Sequence, residues 1–261
     1  IEPLISVFFH TDLVRLKVAG VHWLASLLVV SGVAALVFCV WYPYPFQILA
    51  GGGGLFWLLI SVDLILGPLL TLVVFSPKKS RRALVFDLFF IVILQLLALG
   101  YGLHTIYSAR PVFLVHEVDR FQVIVAADVN ELDLNGALAE FQKLPRWGLR
   151  LIGVRSARDG TEALASVEMA LAGRDVALRP DWWVPLSDEH RAVMRKRALV
   201  WSELRVRSAQ ASQQIDQLLH KSGLPERDAI ALPLVNRHQV WTIVLRRDDA
   251  SVVGYLPIDS L

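Results

Sequence analysis

The sequence predicts a membrane protein, with three transmembrane helices followed by an extracytoplasmic α+β domain on a mostly antiparallel sheet. The first observation is composition: 55% of the 261 residues are hydrophobic and 19% are charged. This is too apolar for an ordinary soluble domain and too charged for membrane helices alone. The second is that only six charged residues lie between positions 20 and 109. The third is a change after residue 110 to period-two alternation, which is typical of strands.

The first apolar run covers residues 18–42 and contains no charge. It is long enough for a helix to cross the hydrocarbon core of about 30 Å. It is also too long for the apolar region of a signal peptide and lacks a cleavage site of the A-x-A type, so we predict a retained helix. Arg15 and Lys17 precede it, and residues 1–17 are expected to form a cytoplasmic N-terminal tail.

Two further apolar runs predict spans at residues 55–75 and 83–107, which complete a transmembrane domain over residues 18–109. Basic residues precede the first run and fill the loop at 76–82, whereas the loop between the first two runs carries no charge. Because basic loops stay in the cytoplasm, the N-terminus and residues 76–82 are predicted to be cytoplasmic. Three spans then place residues 110–261 outside the cytoplasm. The predicted location is the inner membrane of a bacterium, with this domain in the periplasm.

A single carboxylate, Asp63, interrupts the middle of the second run. A charge at the centre of a spanning helix costs about 2.5–3.5 kcal/mol on insertion scales, so Asp63 needs a partner. Asp63 and Gln95 each lie twelve residues from the cytoplasmic ends of their spans, about 18 Å at 1.5 Å per residue. They therefore lie at one depth. Three interpretations remain open: a structural hydrogen bond, a docking group for another protein's membrane helix, and part of a proton or ion path.

Residues 110–261 predict strands and helices in alternation. Two strands meet at Asp119 and Arg120, and Leu134, Leu138 and Phe141 have the spacing of one apolar helix face. The other predicted elements are a helix over 131–144, a strand over 148–157, a helix over 161–173, a helical zone over 187–222 ending at Gly223, and strands over 230–235, 240–247 and 252–258. Sequential hairpins with helices between them favour an α+β domain.

Several kinds of chemistry are disfavoured. Cys39 is the only cysteine, and the histidines show no i, i+4 pair, so we predict no metal site and no cofactor. His22 and His104 are expected near span ends, as interfacial residues. Ser187 and His190 belong to a triad-like trio with Asp188, but neighbours at a helix start are expected to form a cap and not a catalytic site. The 19 basic and 20 acidic residues of 111–261 nearly cancel, which gives no indication of nucleic-acid binding.

Four segments carry a family resemblance. They are K-x-A-G-x-H from Lys17 to His22, then FCVWYP, then VDLILGPLLTLVVFSPKK, and finally ARPVFLVHEVDRF after the third span. In these segments and in the order of its parts, the chain from Lys17 onward resembles the TfpX/TfpZ family of type IV pilin accessory proteins. The resemblance implies an inner-membrane protein that helps a cognate type IV pilin reach the cell surface as assembled fibre. It brings no catalytic residues.

These observations favour a non-enzymatic accessory protein whose partners are the lipid bilayer and a type IV pilin, through both its membrane helix and its periplasmic head. The candidate partner-binding residues are Asp63, Gln95, Arg110, Asp119 and Arg120. The alternative is a membrane-anchored enzyme that acts on a lipid-linked periplasmic substrate. That enzyme would use Asp119 and Arg120 with the basic stretch 191–207 at the membrane surface.

Overall fold

A computed structural model describes residues 2–76, 79–237 and 239–261, with side chains from residue 13 onward. Part of the predicted cytoplasmic loop, including Lys78, lies outside the described residues, as does His238. The chain divides into two compact units, one ending at Ala109 and the other beginning at Arg110.

The first unit is helical. Its helices are α1 (Glu2–Leu36), α2 (Phe46–Leu49), α3 (Gly52–Ser61), α4 (Gly67–Val74) and α5 (Arg81–Ser108), with π-helical segments at Val37–Trp41 and Val62–Leu66. Three stretches are long and apolar enough to cross a membrane: span 1 (Leu13–Trp41), span 2 (Gly52–Val74) and span 3 (Arg81–Ser108). The prediction of three long apolar helices is confirmed. Spans 2 and 3 begin two or three residues earlier than predicted, and α1 begins far earlier, at Glu2.

Tyr42 fixes one end of this unit. Its side chain is fully buried, and its hydroxyl donates a hydrogen bond to the carbonyl of Ile106 at 2.9 Å. The ring lies against Gly52, where a Cβ atom would overlap it. Gly51, the residue before α3, has a φ of 71°, a left-handed conformation that glycine adopts without strain. The two glycines therefore allow the chain to turn tightly into span 2 against the tyrosine.

The second unit contains a seven-stranded sheet of order β4-β3-β1-β2-β5-β6-β7. The strands are β1 (Pro111–Glu117), β2 (Arg120–Val125), β3 (Arg150–Val154), β4 (Trp183–Val184), β5 (Ala229–Val235), β6 (Val240–Arg246) and β7 (Val252–Leu256). The predicted hairpin at Asp119 and Arg120 joins β1 to β2.

The sheet is mixed, so the predicted mostly antiparallel sheet is wrong. β3 runs parallel to β1, and β5 runs parallel to β2. Two long connections, one before β3 and one before β5, explain the parallel pairs. Each connection brings the chain back to the sheet so that the new strand runs in the same direction as its neighbour. Period-two alternation identifies strands but carries no information about which strand a distant one will pair with.

The helices of this unit are α6 (Gly160–Leu171), α7 (Asp188–Arg197), α8 (Trp201–Arg205) and α9 (Ala211–Ser222). The last three bury residues, whereas α6 buries none. One hydrophobic core surrounds the aromatic residues Phe113, Phe141 and Trp183. A second core packs α8 and α9 against β5, β6 and β7. The predicted helical zone over 187–222 is interrupted into three helices, and Gly223 ends the last of them with a φ of 65°.

The predicted helix over 131–144 is wrong, because this segment forms two short 3₁₀ turns, Asp133–Gly136 and Ala139–Phe141. The side chain of Asn130 accepts a hydrogen bond from the backbone N–H of Leu132, a local turn that competes with helix formation. Leu134 and Phe141 are buried as the spacing predicted, whereas Leu138 is half exposed.

Candidate functional site

The amide of Gln95 is the centre of a polar cluster among the three spans. Its Nε2 donates to the backbone carbonyl of Asp63 at 3.3 Å, and its Oε1 lies 2.8 Å from Nε2 of His22. Because an amide oxygen only accepts, His22 donates through Nε2. Nδ1 of a neutral imidazole is then an acceptor, and it lies 2.5 Å from the hydroxyl of Thr71. Each span thus contributes a polar side chain to one hydrogen-bonded network.

The backbone of span 2 explains why the carbonyl of Asp63 is available. Asp63 belongs to the π-helical segment Val62–Leu66, where each carbonyl bonds the N–H five residues later. For Asp63 that residue is Pro68, which has no N–H. The Gln95 amide from span 3 replaces the missing donor.

Gly67 makes room for this contact. A Cβ atom at position 67 would overlap the terminal amide of Gln95. The Gly67–Pro68 pair therefore has two separate effects. Glycine lets the glutamine approach the helix, and proline leaves a carbonyl for it to bond.

Asp63 is buried, with only 5% of the residue exposed. Its Oδ1 has no hydrogen-bond partner among the described residues. Asp63 lines a cavity of about 150 Å³ together with His22 and Gln95. It also lines an apolar cavity of about 220 Å³ between spans 2 and 3, where Leu58 and Tyr101 form part of the wall. A buried acceptor oxygen beside an apolar groove lacks a hydrogen bond that a polar group of a second helix could supply.

The sequence predicted that Asp63 and Gln95 lie at one depth, and in the structure the Gln95 amide bonds the backbone carbonyl of Asp63. His22 and Thr71 were missed. His22 was expected at a span end, but α1 starts far earlier than residue 18, so this histidine lies well inside the helix. The available signal was a histidine inside a long uncharged run, which needs a polar neighbour when it lies within a bundle.

The other three candidates belong to the second unit. Arg110 is 6% exposed and donates to the carbonyl of Pro145 at 2.8 Å. Asp119 and Arg120 form an ion pair of 2.9 Å with about two fifths of each side chain exposed. Arg110 precedes β1 and the pair follows it, so seven strand residues, about 23 Å, separate them. The structure brings Asp119 and Arg120 together but leaves Arg110 apart.

The charges around the β1–β2 turn interact. The hydrogen bond that Arg120 donates to the carboxylate of Asp119 raises the pKa of Arg120 above its ordinary value. Burial raises the pKa of Glu117, and the nearby carboxylate of Asp175 adds to this rise. Glu117, Asp119 and Asp175 line one surface cavity with Arg120, so the arginine is the cation within an acidic surface.

Ser187 and His190 form the predicted helix cap. The hydroxyl of Ser187 lies 2.7 Å from Nδ1 of His190, and the two residues make a reciprocal capping box at the start of α7. The serine and histidine side chains are also hydrogen-bonded to each other. Among the described residues, no group of three or more His, Cys, Asp or Glu side chains is placed to hold a metal ion.

Comparison with known proteins gives a consistent result. Residues 13–51 match the family model described as "Fimbrial assembly protein FimB". The chain is 37% identical to the fimbrial assembly protein of serogroup I from Dichelobacter nodosus, over 89% of this chain and 91% of the relative. It is 35% identical to the serogroup E1 protein of the same organism, over the same shares. For the protein of serogroups C1 and C2, identity is 40% over 43% of this chain and 86% of the relative.

No solved structure gives a significant match to the chain. The two long matches each cover 89% of the chain. With this coverage and more than a third of the aligned residues identical, the chain belongs to the FimB family of fimbrial assembly proteins.

Proposed function

We propose that this protein is a non-enzymatic accessory protein of the bacterial inner membrane that assists the assembly or surface display of a cognate type IV pilin. The names of its relatives support a role in fimbrial assembly. The resemblance to TfpX/TfpZ proteins supports type IV pilin as the partner. In this proposal the N-terminus is cytoplasmic and the sheet domain is periplasmic, in agreement with the distribution of basic residues.

The observation that carries the proposal is the Asp63 carboxylate at an open groove. A structural aspartate inside a bundle is expected to have both oxygens bonded, because an unpaired charged group is costly in an apolar environment. Oδ1 of Asp63 lacks such a partner among the described residues, and the groove beside it is lined by apolar residues. A pilin helix that lies in this groove and presents a donor or cation would satisfy the carboxylate.

The sheet domain is proposed to face the periplasmic head of the pilin. Asp119 and Arg120 are the exposed members of the candidate set, and they lie at a hairpin turn where a partner can reach them. Arg110 is buried and bonded to Pro145, which supports a structural role for this residue in shaping the domain.

The alternative, an enzyme for a lipid-linked substrate, is less well supported. Part of its basic stretch 191–207 is already paired with acidic residues of the domain. Arg205 is paired with both Asp216 and Glu226, and Arg191 is paired with Asp188. Basic side chains that already have acidic partners offer less charge to a phosphate group.

Site-specific photocrosslinking in living cells tests the docking groove. A photoreactive residue at Leu58, which lines the groove and is 71% exposed, is expected to capture pilin. Leu28 is the matched control because it is 76% exposed and lines neither cavity beside Asp63. Equal capture from both positions, or capture from neither, would contradict docking at this groove.

A further inference from the structure

A cavity of about 610 Å³ opens on the sheet domain, at the carboxyl ends of the parallel strands β1 and β3. Its lining consists of His116, Val118, Val154, Arg155, Ser156, Val184, Pro185, Ser187, Glu189, His190 and Val193. Ligands of open sheets with parallel strands commonly bind outside the carboxyl ends of those strands. The position and size of this cavity therefore fit a binding site.

The floor of the cavity follows from one pairing in the sheet. His116 on β1 is the register partner of Gly153 on β3. The imidazole of His190 from α7 lies against Gly153, where a Cβ atom would overlap it. The two imidazole rings then come within 5.9 Å of each other, centroid to centroid. Glycine at this position lets a helix N-terminus approach the strand ends closely.

His116 is the polar group without a bond at this floor. His116 is 2% exposed, and neither of its ring nitrogens has a hydrogen-bond partner among the described residues. His190 differs, because its Nδ1 faces Ser187 and its Nε2 lies 3.0 Å from the carbonyl of Val154. Buried polar groups are normally bonded, so an exception at the floor of a cavity points to an absent partner.

The ionisation of His116 defines what that partner must offer. Burial lowers the pKa of His116 to about 4, with a further contribution from the nearby His190. The ring is therefore neutral at pH 7 and presents one N–H donor and one acceptor nitrogen. A peptide backbone is complementary to these two atoms, because its successive peptide groups offer carbonyl acceptors and N–H donors.

The charges around the cavity disfavour an anion. The guanidinium of Arg155 is bonded to both carboxylate oxygens of Glu162, at 2.8 and 2.9 Å, and it stacks on Trp182. The first turn of α7 already holds two acidic residues, Asp188 and Glu189, which occupy the favourable field of the helix N-terminus. An uncharged ligand fits these surroundings better than a phosphate or a carboxylate.

Val118 adds an unusual feature at the mouth of the cavity. It has a φ of 51°, which is a rare conformation for a β-branched residue. Val118 is also 61% exposed. The N–H of Asp119, the next residue, donates a hydrogen bond of 2.6 Å to the carbonyl of Glu117, the residue before it, which closes a tight turn around Val118. Such strained residues cluster at ligand sites. The tight turn directs an apolar side chain to the opening.

We propose that this cavity binds an uncharged peptide segment. Backbone groups of the segment pair with the ring nitrogens of His116, and small apolar side chains pack on Val118, Val184 and Pro185. The site belongs entirely to the sheet domain, so it is independent of the docking groove beside Asp63. A partner protein would reach it with an exposed loop or terminus.

The test uses the full chain in detergent micelles, with ¹⁵N-labelled histidine and three probes: N-acetyl-trialanine amide, sodium acetate and sodium phosphate. The His116 ring signals are assigned by their loss in His116→Gln. The neutral peptide is expected to move them in a saturable way, and the two anions are expected to leave them unchanged. No movement with the peptide, or movement with acetate or phosphate instead, would overturn the proposal.

A matched pair of substitutions locates the effect. Ser156 is exposed at the cavity rim, and Ser156→Trp is expected to weaken the peptide's effect at least tenfold by closing the opening. Ser208 is also exposed but does not line the cavity, so Ser208→Trp is expected to bind as the wild type does. An equal effect of the two tryptophans would contradict the assigned site. The titrations of the wild type decide the proposal even if a variant folds poorly.

Discussion

His22 and Gln95 join span 1 to span 3 through a hydrogen bond of 2.8 Å between the imidazole Nε2 and the amide Oε1. The same glutamine bonds the backbone of span 2 at Asp63. One side chain thus connects all three spans. Hydrogen bonds between membrane helices are individually modest, about 0.6 kcal/mol on average and up to about 1.7, so the network sets the register of the helices more than their overall stability.

The first prediction concerns Gln95→Leu. This change removes both hydrogen bonds of the amide, so that His22 and the Asp63 carbonyl each lose the bond they make with Gln95. We expect the free energy of unfolding in mixed micelles to fall by about 1–2 kcal/mol. Leu97→Met is the control, because Leu97 is 67% exposed on the same helix. Unchanged stability in Gln95→Leu would mean that the cluster does not hold the spans together.

Gly67→Ala tests the close approach between spans 2 and 3. The new methyl group would overlap the Gln95 amide, so we expect a loss of stability. Gly100→Ala is the matched control, since no heavy atom lies within 4 Å of a Cβ built there. In a helix, alanine is favoured over glycine by about 1 kcal/mol, so the control is expected to be stabilised. The comparison is made by denaturant titration, and a stabilised Gly67→Ala would contradict the packing.

Much of the first unit could be predicted from sequence because a membrane span requires a continuous apolar run. The depth of Asp63 and Gln95 followed from counting residues. The roles of His22 and Thr71 could not be predicted in this way. Helix periodicity identifies the residues that share one face of a helix, but not the residues of other helices that this face contacts. The early start of α1 also changed the position of His22 from a helix end to a helix interior.

In the sheet domain too, part of the structure could be predicted from the sequence and part could not. The β1–β2 hairpin was predictable, since its two strands are separated by a short turn. The pairing of His116 with Gly153 was not, because a crossover of more than twenty residues separates β2 from β3. The cavity at His116 depends on that pairing, so it could not have been found from the spacing of histidines along the chain.

Membrane orientation gives a third prediction. Arg15, Lys17, Lys79, Arg81 and Arg82 all fall on the side assigned to the cytoplasm. A reporter enzyme that is active only outside the cytoplasm should work when fused after Leu261 and fail when fused at Lys79. A second reporter that is active only in the cytoplasm should give the reverse pattern. Activity of the first reporter at Lys79 would contradict the proposed topology.

The fourth prediction is a pH dependence that arises from His116. Its folded pKa of about 4 lies below its ordinary value of 6.5, so the folded state binds the proton less tightly than the unfolded state. The neutral ring of His116 therefore contributes to the free energy of unfolding. This contribution is fully present above pH 6.5 and is lost as the pH falls toward and through 4. Its full size is on the order of 3 kcal/mol.

Thermal unfolding between pH 7.5 and 4 measures this effect. The wild type should lose stability across the window, and His116→Leu should lose distinctly less, since leucine cannot bind a proton. His220→Leu is the control, because His220 is an exposed residue of α9. Parallel curves for the wild type and His116→Leu would show that His116 does not contribute.

The last prediction distinguishes a structural role of Asp63 from a docking role. Asp63→Asn keeps the backbone carbonyl that Gln95 bonds and nearly the same side-chain shape, but it replaces an acceptor oxygen with an amide donor and removes the charge. If the carboxylate receives a donor or cation from a pilin helix, the protein should stay at its normal level while surface pili decrease. The measurement is protein abundance by immunoblot beside pilin sheared from the cell surface. Asp87→Asn is the matched control, because Asp87 belongs to span 3 and is paired with Lys79. Normal piliation with Asp63→Asn would rule out docking through the carboxylate, and loss of the protein itself would assign Asp63 a role in the architecture of the spans.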